Sequence, residues 1–277
     1  VTDDKVSRDR RAGRAAPEAG ATNFRHMIEM PTGVCLAFTD VATGNLGLHV
    51  PGASDPQDNR RALEASMGVE PGTLLFLEQV HGTRVVQAED TPLLSPGLSA
   101  DEERSLAPTA DAAVTTTGRP LAIMTADCLP VVITTSDSRT YGVAHAGRQG
   151  LLTGVLPNVV AELRAKGAQD LEAWIGPAIC GSCYEVPQDM ADGAEAEHPG
   201  IAVTTRWGSP GLDLPGAADR QLKQSGVLVH RDVVNECTFE NDELFSHRRA
   251  PGQGRIAGLV WARPRSNEAS RAEAPGR

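Results

Sequence analysis

Cys128 and His145 carry the side chains best suited to chemistry, and both fall in residues 121–150, LAIMTADCLPVVITTSDSRTYGVAHAGRQG. The apolar runs 121–124, 131–135 and 141–144 read as buried strands, each followed by polar or small residues. The thiol follows the first run and the imidazole follows the third. Rigid strands aim reactive groups better than loops do. His81, in the turn that ends the strand candidate 73–80, offers a third donor. Two histidines and a cysteine are donors that catalytic zinc uses, with a fourth position left open. If their strands are neighbours, His81, Cys128 and His145 meet at one sheet edge. The plainer reading is a buried thiol and two hydrogen-bonded imidazoles, since cysteine is among the most buried residue types.

Other residues near these runs suit supporting roles. Asp127 can orient a ligand histidine, act as a base, or simply cap the turn. Arg148 and Arg248 stand where a fork for phosphate or carboxylate would be useful, whereas Arg249 reads as a solvated surface group. Cys180-Gly-Ser-Cys183 is a CxxC with no second close pair, and Cys237 stands alone in sequence, so a tight turn after a strand is expected rather than a structural metal site. The glycines at 252, 254 and 258 imitate a dinucleotide fingerprint with the wrong spacing. No GxSxG, HExxH, Walker loop or deaminase HxE…PCxxC signature is present.

The elements that must position these groups follow from composition. The 277 residues are 40% hydrophobic but only 4% aromatic, so the core is built from Ala, Val, Leu and Ile. Strand candidates are 34–39, 46–50, 73–80, 84–87, 110–116, 171–175, 227–230 and 256–261. Residues 207–214 read as a loop or edge strand. Helices are expected from Asp55 to the stop at Gly68, from 151 to the stop at Gly167, over 191–197 and over 217–225. The Pro- and Ser-rich stretch 91–108 reads as a surface loop. Such interleaving predicts an α/β, mixed α+β single domain at 25–263, with disordered tails at 1–24 and 264–277.

The formal net charge of -10, without a basic cluster, argues against sequence-independent nucleic-acid binding. No apolar run approaches membrane-spanning length. Five cysteines, an odd number, and no signal-type apolar segment point to a reducing, cytoplasmic setting.

QVHG (79–82), TADCLPV (125–131), AHAGRQG (144–150), IGPAICGSCYEV (175–186) and CTFENDELFSHRR (237–249) together resemble the YfiH, or laccase-domain, family. The resemblance implies layered mixed β-sheets flanked by helices, related to the catalytic domain of a deamidating toxin. It also implies one Zn2+ held by His81, Cys128 and His145. The activity implied is phosphorolysis of adenosine, inosine or 5′-methylthioadenosine, with adenosine deamination beside it. Polyphenol oxidation with copper and removal of a misincorporated L-Ser from a peptidoglycan precursor are the alternatives ascribed to the family. On the first reading the partners are a purine nucleoside and phosphate, and the protein is a monomer or homodimer. Arg148 and Arg248 would hold phosphate, while Asp127 or His247 would handle protons. Three departures stand out: Arg148-Gln149 replaces Trp-Arg, residues 39–47 form a shortened loop, and Ser182-Cys183 replaces Cys-Cys.

Overall fold

The computed structural model describes residues 24–50, 54–136 and 139–263. Both expected tails lie outside them, except Phe24, whose ring sits 5.5 Å from that of Trp261. Two sheets stack face to face. The first has the order β1 (His26–Glu29), β2 (Val34–Phe38), β12 (Ile256–Ala262), β5 (Leu121–Thr125). The second runs β11 (Leu228–Val229), β8 (Leu171–Ile175), β6 (Leu129–Thr135), β7 (Tyr141–Ala146), β4 (Ala112–Thr115), β3 (Val85–Gln87). A short hairpin joins β9 (Ala202–Thr204) to β10 (Pro210–Leu212).

Strand alternation explains the layers. Leu36 and Phe38 of β2, Ile123 of β5 and Val260 of β12 face Val132, Val143 and Trp174 of the second sheet. Cys35, Ala37, Ala122, Leu259 and Trp261 point the other way, onto Leu63 and Met67 of α1 (Pro56–Met67). Leu129, Val131, Ile133 and Ala144 pack on Leu156, Val159 and Leu163 of α4 (Val155–Ala165) and on α6 (Leu214–Gln224). The stack is therefore helix, sheet, sheet, helices. Strands buried on both faces carry apolar residues at every position, which is why these segments read as unbroken runs.

α1 begins as expected, with the Asp55 carboxylate accepting from the Gln57 N–H, Pro56 at the first turn, and Gly68 closing it at φ +67°. The single helix expected over 151–167 is broken at Gly154, where φ is +99°, into α3 (Arg148–Thr153) and α4. That break leaves Pro157 in the first turn of α4, where its missing N–H costs nothing. α5 (Gln188–Glu197) and α6 lie where helices were expected.

Three expectations are corrected, and one strand is added. Residues 46–50 form no strand: the Asn45 side chain accepts from the Gly47 and Arg255 N–H groups and donates to the Gly47 and Val50 carbonyls, which curls the chain locally. Residues 73–80 make only two isolated parallel bridges, Leu75 to Leu121 and Glu78 to Thr109. The supposed loop 91–108 contains α2 (Ala100–Leu106), opened by a capping box between Ser99 and Glu102. The added strand is β1, which pairs antiparallel with β2 at the edge of the first sheet. Along the outer edge of β5, Leu75 exchanges backbone bonds with Pro120 and Ala122, and the Gln79 amide then pairs with both the N–H and the carbonyl of Met124.

Candidate metal centre

His81, Cys128 and His145 come together, their ligand atoms all within 4.8 Å of one another. They do not share one sheet edge as expected. β5 belongs to the first sheet and β6 to the second, so Cys128 lies on the crossover between sheets. His145 lies within β7, opposite Pro130 of β6. His81 arrives on the turn after the β5 edge segment, with φ +62°, and Asp127 beside the thiol has φ +86°. Left-handed backbone at two non-glycine residues flanking one site is strain held by its surroundings.

Asp111 supplies much of that hold, and sequence reasoning missed it. Its buried carboxylate accepts from the N–H groups of Val80 (3.2 Å), His81 (2.8 Å) and Gly82 (2.7 Å). It also meets His145 Nδ1 at 2.8 Å, so Nε2 is the atom turned to the thiol and to His81. Burial works against ionising this carboxyl, yet the His145 bond and the N–H donors bring it below the usual carboxylate range. Burial likewise opposes charge on His145, but Asp111 and Cys128 raise its pKa to about 9. Burial would raise the Cys128 thiol, but His145 and His81 lower it to about 6. The metal-free trio is thus a thiolate against an imidazolium. Alkylation of Cys128 in metal-stripped protein should rise through pH 6 and level off by about pH 7, far below the ordinary thiol pKa of about 8.5. A rate still climbing at pH 8 would contradict this pairing.

Gly147 forms the floor of the site. A Cβ there would lie 2.8 Å from His81 Cδ2, 3.1 Å from Cys128 Sγ and 3.4 Å from His145 Nε2. The space between the donors is one that a methyl group would fill, and the donor set suits zinc, or copper by softness. The three residues also line a cavity of about 310 Å³ together with His49, Gln79, Arg104, His247 and Arg255. The space among the three donors is therefore open on one side.

The other expected residues fall as follows. His247 is exposed on the cavity wall. Asp127 has both carboxylate oxygens engaged, at 2.6 Å with Thr238 Oγ1 and 2.6 Å with the Arg248 N–H. Arg148, half-buried at the start of α3, and Arg248 flank Tyr184, with Arg248 stacked 5.2 Å from its ring centre. The cations that line the cavity are instead Arg104, ion-paired with Glu78, and Arg255. Arg249 is not solvated as expected; its guanidinium binds the carbonyls of Thr238, Phe239 and Leu244. Cys237 does not stand alone, because it meets Cys180 and Cys183.

The two-sheet α+β fold brings His81, Cys128 and His145 into a cluster able to hold a metal ion. Residues 32–263 match the model of the family described as multi-copper polyphenol oxidoreductase laccase, and the chain belongs to that family. It is 36% identical to a purine nucleoside phosphorylase of Streptomyces griseus, over 90% of this chain and 97% of that one. It is 39% identical to a purine nucleoside phosphorylase of Mycobacterium bovis, over 79% and 84% of the two chains. A crystal structure of a Neisseria meningitidis protein superposes with a TM-score of 0.71 at 30% identity, covering 87% of this chain and all of the other. YlmD of Geobacillus stearothermophilus also gives a TM-score of 0.71, at 25% identity over 88% of this chain. No helix among the described residues is long and apolar enough to cross a membrane.

Proposed function

We propose that this protein is a zinc-dependent purine nucleoside phosphorylase acting on adenosine, inosine or 5′-methylthioadenosine. The observation that carries this reading is the His81, Cys128 and His145 set opening onto a cavity lined by two arginines and two further histidines, His49 and His247. The phosphorylases among its relatives support it. Bound there, zinc supplies Lewis acidity at the cavity face. In phosphorolysis a phosphate oxygen bonds to C1′ while the C1′–N9 bond breaks, and its electron pair leaves with the base, which must gain a proton. Arg255 holds phosphate in the cavity, while Arg148 and Arg248, which flank Tyr184 outside the cavity lining, add positive charge nearby. His247 delivers the proton to the base. Asp127 acts as a positioning residue that fixes the Arg248 backbone. Adenosine deamination at C6 is a secondary use of the same open position.

Incubating the zinc-loaded protein with inosine and phosphate should give hypoxanthine and ribose 1-phosphate. Arg255→Ala should raise the KM for phosphate by roughly 10- to 100-fold, the worth of one charge-assisted hydrogen bond. No hypoxanthine at any metal loading would overturn the reading, and ammonia without phosphate consumption would leave only the deaminase. An amidase on a peptidoglycan precursor would draw on the same residues, but no observation favours it over the phosphorylase. Copper oxidation of polyphenols needs several histidine-rich centres. Among the described residues the clusters able to hold a metal contain only His81 and His145.

A further inference from the structure

We infer that Cys180, Cys183, Cys237 and Glu240 form a second metal site, one that takes Zn2+ and staples the chain after β8 to the segment carrying His247 and Arg248. The four ligand atoms all lie within 4.8 Å of one another. A tetrahedral zinc thiolate site, with bonds of about 2.3 Å, needs donor separations of roughly 3.8 Å, so each atom has about an ångström or less to travel.

The backbone brings these donors together without reference to any ion. Ala178 and Cys237 form a parallel bridge, with the Ala178 N–H on the Glu236 carbonyl (3.2 Å) and the Thr238 N–H on the Ala178 carbonyl (3.1 Å). The next residues turn tightly, since the Cys183 and Tyr184 N–H groups both bond the Cys180 carbonyl at 3.0 Å. Cys180 and Cys183 thereby meet Cys237, whose sulfur accepts the Cys180 N–H at 3.4 Å. Backbone donation to a ligating sulfur is the outer support that metal thiolates ordinarily have.

The chemistry of the donors selects the ion. Three thiols make a soft set that suits zinc and rejects magnesium or calcium. Arg206 holds Glu240 through Oε1, leaving Oε2 for the metal, and its positive charge offsets part of the excess negative charge of the site. Four protein donors make the site closed, as structural zinc sites are, in contrast to the open His81 centre.

Its position suggests what it holds. Thr238, next to Cys237, donates to Asp127, the neighbour of Cys128. Arg248 Nη1 reaches the Glu185 carbonyl at 3.0 Å, two residues past Cys183. The staple therefore braces the wall on which Arg248 is displayed.

The test uses the full chain, zinc-loaded under reducing conditions and desalted, with metal counted by mass spectrometry. Wild type should hold two equivalents and Cys128→Ala one. Adding Cys237→Ala to Cys128→Ala should remove the last one. Should that double variant fail to fold, mercurial titration of folded Cys128→Ala should release its zinc as the thiols react. Cobalt in the same variant should show the intense visible bands of a tetrahedral thiolate site. A folded Cys128→Ala protein that holds no zinc would overturn the proposal, as would one equivalent that survives loss of Cys237 or of all reactive thiols.

Discussion

Gly147→Ala should fold normally and lose its metal. The backbone at 147 has φ −68° and ψ 164°, a conformation any residue adopts, so the new methyl carries no conformational penalty. Its carbon would sit 2.8 Å from the His81 ring and 3.1 Å from the Cys128 sulfur, in the space the ion needs. His145 is buried and pinned by Asp111, so the exposed His81 ring is the one that yields. Losing one of three ligands should cost about a hundredfold or more in zinc affinity, beyond the 10- to 100-fold typical of outer-shell changes. Competition with a chromophoric chelator measures the affinity, and melting of the metal-free protein checks the fold. Unchanged zinc affinity with an unchanged melt would show that the ion does not sit among these residues.

Asp111→Ala should be the most destabilising single change at the site. The carboxylate is buried and takes three backbone N–H donors as well as the His145 imidazole. Removing it strands those donors and takes one of its two charged partners from the buried His145 imidazolium, which costs about 3–5 kcal/mol. Urea denaturation of metal-free protein reads this directly. The loss should also depend on pH. Asp111, with its folded pKa depressed, contributes fully above its unfolded value of about 3.9, and that contribution fades as pH falls through the folded value. His145, raised to about 9, contributes fully below its unfolded value of about 6.5 and loses it as pH rises through 9. The gap between wild type and variant should therefore be widest between about pH 4 and 6.5. A gap that stays flat from pH 5 to 10 would show that the pair is not charged. Asp111→Asn keeps the volume but turns an amide toward N–H donors, and it should lower zinc affinity by about 10- to 100-fold.

What the sequence made legible, it did so through burial and residue chemistry. Runs such as VCLAF in β2 and IAGLVWA in β12 are apolar at every position because helix and sheet cover both faces. The His81, Cys128 and His145 donors announce themselves by type and by following apolar runs, although His145 lies within β7 and no strand leads to His81. Asp111 does not, because its task is set by three N–H groups some thirty residues earlier in the chain. Arg255 sits in a glycine-rich run that resembles a failed nucleotide motif, and contacts 210 residues away fix its backbone: its N–H donates to the Asn45 side chain and its carbonyl accepts from the Leu46 N–H. Asn45 also explains the misread strand at 46–50, since one side chain replaces the ladder that apolar spacing suggested. The capping box of α2 was written in Ser99 and Glu102 but lay hidden in Pro- and Ser-rich surroundings.

The segment that brings His81 to the centre has a second consequence, for the behaviour of the chain among its own copies. β5 ends its sheet, and an apolar strand with an open edge is a template for pairing with another molecule. Leu75 occupies the backbone positions at Pro120 and Ala122, and the Gln79 amide imitates a further strand residue at Met124. The same few residues thus close the β5 edge to intermolecular pairing and bring His81 to Cys128 and His145. A change that frees this segment would open a path to aggregation as well as unseat His81.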